Sequence, residues 1–241
     1  MKQLATPLLL AALVGSAATA SAQTTFRLGV RGGLNRANTT LSETQGGYFV
    51  TYANERKSAT YTWQAGAVLE ANFGKLAFQP AILFSQKGEK YYAAAYVGDF
   101  GVSLVEQSST NHYNWLEVPL NLVYTLHGDH GLQVFAGPYV AVAVGGRQRG
   151  TATSQTLFVP NSVPIVQDLD GRIAYDSNST NQRVDAGVNF GLGYRQGPLQ
   201  LQLGYGLGLR DLHRPDRSYG FNATTAYNRV AQLTGTYFFS L

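Results

Sequence analysis

Residues Leu199 to Arg210, LQLQLGYGLGLR, alternate without a break. Leu199, Leu201, Leu203, Tyr205, Leu207 and Leu209 share one parity, and Gln200, Gln202, Gly204, Gly206, Gly208 and Arg210 share the other. A period of two is the mark of a strand with one apolar and one polar face. Strands of soluble domains usually run about five or six residues, whereas a tilted strand that crosses a bilayer needs roughly nine to eleven. The stretch therefore predicts a membrane strand with its leucines and Tyr205 toward lipid.

Seven further stretches repeat the pattern less cleanly: Phe26 to Leu34, Tyr61 to Phe73, Leu76 to Lys87, Asn114 to Leu126, Leu132 to Val144, Arg183 to Arg195 and Arg229 to Leu241. Gly74-Lys75, His127 to Gly131 and Gln196 to Pro198 are short, turn-forming connections. Residues 35–60, 88–112, 145–182 and 211–226 are long and polar, and they alternate with the short ones. The expectation is an all-β, eight-stranded antiparallel transmembrane up-and-down β-barrel with short periplasmic turns, four long extracellular loops and periplasmic termini. Three prolines, Pro80, Pro119 and Pro138, fall inside predicted strands. A closed barrel has no edge on which a missing N–H is harmless, so a patch of bulged, locally unpaired ladder is expected there.

Composition adjusts this picture in a few places. Lys2, the apolar run Leu8 to Val14 and Ala20-Ser21-Ala22 read as a cleaved signal peptide over 1–22, leaving one barrel domain over 23–241. With no Cys there is neither a disulfide framework nor a lipidation site. The 18 Lys and Arg against 14 Asp and Glu form no basic cluster in the sequence, so a nucleic-acid partner is not suggested. No run of eighteen apolar residues occurs, which excludes a helical membrane protein but not a barrel. Tyr61 and Trp63, with Phe73 and Phe84, suit aromatic girdles at the two interfaces.

Several segments carry a family likeness. Gly29-Val30-Arg31-Gly32-Gly33-Leu34-Asn35, Gln79-Pro80-Ala81-Ile82-Leu83-Phe84-Ser85-Gln86-Lys87-Gly88, Leu116-Glu117-Val118-Pro119-Leu120, Ala136-Gly137-Pro138-Tyr139 and Gly191-Leu192-Gly193-Tyr194 resemble the PorT-like outer-membrane β-barrel family. The resemblance implies an eight-stranded outer-membrane barrel. It implies little about activity, since the family's namesake is associated with a protein secretion system while most members are uncharacterised. The C-terminus ends on Leu241 rather than the usual aromatic assembly signal, although alternation persists to the end.

Candidate chemistry is sparse, and no catalytic residue, metal ligand or cofactor is assigned. His112 and His213, with Ser108, Ser109, Asp211 and Asp216 near them in sequence, lack a nucleophile fixed beside a base. His127-Gly128-Asp129-His130 reads as a solvated turn, and Asp168-Leu169-Asp170-Gly171 lacks the later acidic ligands of a calcium loop. A sugar platform from Tyr48, Phe49, Tyr52, Tyr91, Tyr92 and Tyr96 ranks below simple loop packing.

The charges on the lumen parity are more informative. Arg27, Arg31, Lys87, Arg183, Arg195 and Arg210 face Glu70, Glu117 and Asp185, and an unpaired charge in a narrow interior is costly. Heights counted from the turns predict Glu70 between Arg27 and Arg31, Glu117 near Lys87, and Asp185 near Arg210, with Arg183 at the outer mouth. The leading functional expectation is a monomeric, non-enzymatic outer-membrane barrel, contacting lipid, folded by the barrel-assembly machinery, and meeting any protein partner through its outer loops. A narrow channel for small solutes and an accessory of a secretion system are the rivals.

Overall fold

In the computed structural model, described over residues 24–40, 50–98, 102–128, 130–176, 179, 181–213 and 225–240, the chain forms nine strands and no helix among those residues. They are β1 (Thr25–Thr39), β2 (Val50–Phe73), β3 (Leu76–Val97), β4 (Ser103–Thr125), β5 (Gly131–Thr156), β6 (Ile165–Arg172), β7 (Val184–Gln196), β8 (Leu199–Gly208) and β9 (Asn228–Ser240). Antiparallel pairing runs from β4 through β3, β2, β1, β9, β8 and β7 to β5, and β5 pairs back onto β4. Eight strands thus close the ring, and β6 is an addition. It pairs with the outer part of β5, residues 147–154, on the same edge that β7 occupies at residues 131–142.

The ring follows the period-two pattern. On the outer wall Leu199, Leu201, Leu203, Tyr205 and Leu209 are exposed and Leu207 is half-exposed, while Gln200 and Gln202 beside them are buried inside. The same division holds in the other staves, so exposed apolar side chains clothe a polar interior, the inverse of a water-soluble domain. Trp63 stacks on Phe84 at 5.2 Å between ring centroids on this wall. The short turns place glycines at φ values that side chains avoid, Gly74 at 81° and Gly197 at 57°.

Two sequence expectations are corrected. Most of the long polar connections are strand: β2, β3, β4 and β5 run 22 to 26 residues, far beyond the roughly nine to eleven a membrane crossing needs. Strands β2 to β6 therefore continue past the ring as an open sheet on the side opposite the short turns, the extracellular side by the topology of such barrels. The second correction concerns the prolines. Pairing skips from Val68↔Ala81 to Ala71↔Phe78, from Pro80↔Leu120 to Leu83↔Glu117, and from Pro119↔Tyr139 to Leu122↔Ala136. The ladder is interrupted beside each proline-bearing segment as expected, yet register is kept across every gap, so no bulge forms there. A close approach replaces it: a Cβ on Gly137 would run into the carbonyl oxygen of Leu120. Register shifts lie instead between Tyr52 and Asn54, between Ala59 and Gln64, and between Asn114 and Trp115. The last two sit where the ring gives way to the sheet extension, and a bulge bends and re-aims the strand that carries it. The signal-peptide reading of 1–22 and the terminal Leu241 lie outside the described residues.

Candidate functional site: the closed lumen and the outer rim

Each stave contributes its polar parity to the lumen, and ring closure decides which groups meet. Glu70 on β2 is fully buried. Its Oε1 lies 3.3 Å from Arg27 Nη1 on the neighbouring β1, and its Oε2 accepts from Gln79 Nε2 at 2.7 Å. Oε2 also accepts from Arg195 Nη1 at 2.6 Å. Arg195 belongs to β7, four steps around the ring from β2, so this pair spans the lumen. Arg31 is not a partner of Glu70; its Nε donates to Thr236 Oγ1 at 2.9 Å and its Nη2 to Gln79 Oε1 at 3.4 Å.

A second layer lies nearer the outer mouth. Lys87 Nζ is 2.8 Å from Glu117 Oε2 on adjacent β4 and 3.3 Å from Asp185 Oδ2 on β7. The same Asp185 oxygen accepts from Tyr139 Oη at 3.0 Å and Asn228 Nδ2 at 2.7 Å. Lys87 also stands over the Tyr139 ring at 4.5 Å. The grouping of Asp185 with Arg210 is therefore corrected. β8 releases β7 at Gly208↔Gly187, and Arg210, past the strand end, turns to solvent and donates to Gln182 Oε1 at 3.3 Å. Arg183 is exposed at the mouth, donating to the carbonyl of Tyr175 at 3.2 Å.

Sequence reasoning compared neighbouring strands only and so missed Arg195 as the partner of Glu70. The signal was present: Arg195 and Glu70 both lie within a few residues of a short turn, at Gly197 and Gly74. It also missed Lys57 with Glu89, 3.3 Å apart, because both fell in a segment read as loop.

Little space remains between these layers. The Phe135 ring lies 2.9 Å from where a Cβ would stand on Gly191 or Gly204, and Tyr139 lies 2.7 Å from that of Gly187, so large rings fill what the lumen glycines leave. The cavity bounded by Arg31, Gln64, Glu117, Asn121, Asn189 and Gln202 has a volume of about 10 Å³, room for about one water.

The catalytic and metal candidates do not assemble. His112 lies on β4 beside Gly88 and Arg147, whereas His213 bridges to Asn181 and lines a separate 20 Å³ recess at the mouth. Burial, and the Arg149 cation next, hold the His112 imidazole below its ordinary pKa. Asp168 and Asp170 sit in strand β6, not in a turn, and Asp170 takes both Nε and Nη2 of Arg147 at 2.6 Å. His127 and His130 stack at 6.0 Å. Tyr91 and Tyr92 are engaged by Glu55 and Glu106, at 2.8 and 3.0 Å. Asp129, Asp216, Tyr48 and Phe49 lie outside the described residues, as does the side chain of Tyr52. Among the described residues no three His, Asp or Glu converge as a metal site.

A closed ring of eight strands with an apolar exterior and a charge-paired interior defines an integral β-barrel membrane protein. The chain belongs to the outer membrane protein beta-barrel domain family, whose model matches residues 21–214, and its place is the outer membrane. Solved structures similar to it include Neisserial surface protein A, at 12% identity, covering 88% of this chain and 97% of that one with a TM-score of 0.37. OprG from Pseudomonas aeruginosa is 12% identical, covering 90% and 98% with a TM-score of 0.40. Ail of Yersinia pestis, solved with the heparin analogue sucrose octasulfate, is 8% identical, covering 89% and 99% with a TM-score of 0.38. A search of curated proteins found no match.

Proposed function

We propose that this protein is a non-enzymatic outer-membrane barrel of the PorT-like kind, exported by the signal peptide at 1–22. In this reading it acts as a monomeric membrane anchor whose outward sheet and loops make structural or protein contacts. The observation that carries the reading is the Glu70–Arg195 pair, 2.6 Å long and reaching across the lumen beneath the Lys87 cluster. In this reading a lumen crossed twice by charge pairs, with ring side chains over its glycines, is closed to solutes. The remaining work then falls to surfaces outside the membrane. The PorT-like placement rests on the proline-bearing segments around Pro80, Pro119 and Pro138.

The rival channel rests on the small residues that line the lumen. Planar-bilayer recording of the folded wild type separates the two readings. Electrical silence is the expected result; steady ion current through the wild-type barrel overturns the closed anchor. An accessory role in a secretion system is the finer alternative that the family likeness supports. It requires a stable protein partner, and affinity purification from outer membranes that returns none removes it.

A further inference from the structure

We propose that the outer rim beside β5 and β6 is a binding site for the phosphate groups of outer-leaflet lipid. The register lays successive outward rows across the sheet. Phe84, Leu116 and Val142 form an apolar row on the ring. Past the Asn114 bulge, Gly88, His112, Arg147 and Arg172 align in one row, and Lys90, Thr110, Arg149 and Asp170 in the second row beyond it. The row between them carries Asn111 and Gln148, which are turned to the inside.

Arg147 lies three residues past Val144, which is still exposed on the apolar wall. At about 3.3 Å per residue and a tilt near 45°, that places the guanidinium roughly 7 Å above the hydrocarbon, the level of lipid headgroups. Four cations therefore face one anion in two adjacent rows, just above the belt that holds acyl chains. Asp170 acts as the organiser. It binds Arg147 through two 2.6 Å contacts and draws Arg149 to 3.6 Å, so the two guanidiniums stand side by side while their side chains stay 55% and 66% exposed. Remaining donors of such a pair match the geometry of a phosphate oxygen set. Charge complementarity and continuity with the lipid-facing wall favour a membrane lipid over a soluble anion as occupant. This assignment rests on the outer-membrane location and not on the closed lumen.

The test uses the full chain folded in phosphatidylcholine nanodiscs, with retention of bis-phosphorylated lipid A, or of its dephosphorylated form, read by native mass spectrometry. The wild type is expected to retain the phosphorylated lipid and to bind the dephosphorylated one no better than the variants do. Losing two surface cations at roughly fivefold each, R147Q/R149Q should bind about 30-fold more weakly. R172Q alone should lose about fivefold, and K75Q, which removes a charge at the opposite end, should lose nothing. Equal gel mobility shifts on heating verify that every variant is folded. Undiminished retention by R147Q/R149Q, or equal binding of both lipids by the wild type, overturns the site. Displacement of the lipid by millimolar inorganic phosphate reassigns it to free phosphate. Loss of dextran sulfate binding in R147Q/R149Q with lipid retention intact reassigns it to a soluble polyanion.

Discussion

Strand β5 passes through two regions governed by different rules. From Leu132 to Val144 it is a stave of a closed ring, with Leu132, Val134, Val140, Val142 and Val144 exposed to the hydrocarbon side and Gln133, Phe135, Tyr139 and Ala141 buried within. From Arg147 to Thr156 it is part of an open sheet, flanked by β4 and by the eight-residue β6. In the ring, every side chain is committed to lipid or to a packed polar interior, and closure leaves no edge free to yield. In the extension no β5 residue from Arg147 to Thr156 is buried, although Ser109 and Asn111 on β4 beside it are, and β6 ends the sheet. A perturbation of the same kind should therefore cost much in the first region and little in the second.

The largest difference is expected at Glu70. Glu70→Gln leaves Arg195 buried at 2% side-chain exposure without its anion, and breaking a buried pair from one side costs about 3–5 kcal/mol. Urea unfolding in lipid vesicles measures it. Unchanged stability would mean that water reaches Arg195 and that the interior is not dry.

Next in size is the membrane face. Leu203→Arg sets a cation against mid-bilayer lipid, at about 2–4 kcal/mol, and urea midpoints in vesicles check this against Gln202→Asn. Gln202→Arg is not a neutral control. Gln202 is buried in the filled interior, where a longer charged side chain has no room.

A pair of glycines then compares the regions directly. A Cβ on Gly137 would meet Leu120 O in the ring, and one on Gly150 would meet Ser108 O in the extension. Overpacking of this kind costs about 1–3 kcal/mol where the surroundings are fixed. Gly137→Ala should take that full cost, while Gly150→Ala should cost less because β5 and β6 can shift together. Equal losses of unfolding free energy would show the extension to be as rigid as the ring.

The same contrast explains what the sequence disclosed. Lipid on one side and a polar lumen on the other impose a period of two on LQLQLGYGLGLR, so the staves, their faces and their short turns were readable. Arg147 to Thr156, RQRGTATSQT, has no such contrast. Its strand character comes from pairing with β4 and β6, which a single segment does not reveal. The lumen was legible in the same partial way. Lys87 with Glu117 and Arg27 with Glu70 are neighbours on adjacent staves, whereas Glu70 with Arg195 and Lys87 with Asp185 depend on ring closure and on the reach of long side chains across it. Arg210 was misplaced because alternation continues two residues beyond the end of β8 at Gly208.

The smallest effect concerns acid. Hydrogen bonding from Arg147 holds the Asp170 carboxyl below its ordinary range, with the Coulomb fields of Arg147 and Arg149 adding to it. A carboxyl depressed in the fold contributes stability that is fully present above its unfolded pKa and is lost as pH falls through the lower folded value. Between pH 7 and about 5, where carboxylates stay ionised, protection of the β6 amides from hydrogen exchange should hold constant. Burial, and the Arg149 cation next, lower the pKa of His112 on β4, so comparison with Asp170→Asn separates any imidazole contribution from that of Asp170. Below about pH 4 the contact with Arg147 weakens, and residues 165–172 should lose protection while residues 184–196 in the ring keep theirs. In Asp170→Asn the acid dependence of β6 should vanish, leaving a slightly less protected strand at every pH. A wild-type β6 that keeps its protection through this range would mean that backbone pairing with β5, and not the Arg147–Asp170 contact, fixes the edge of the sheet.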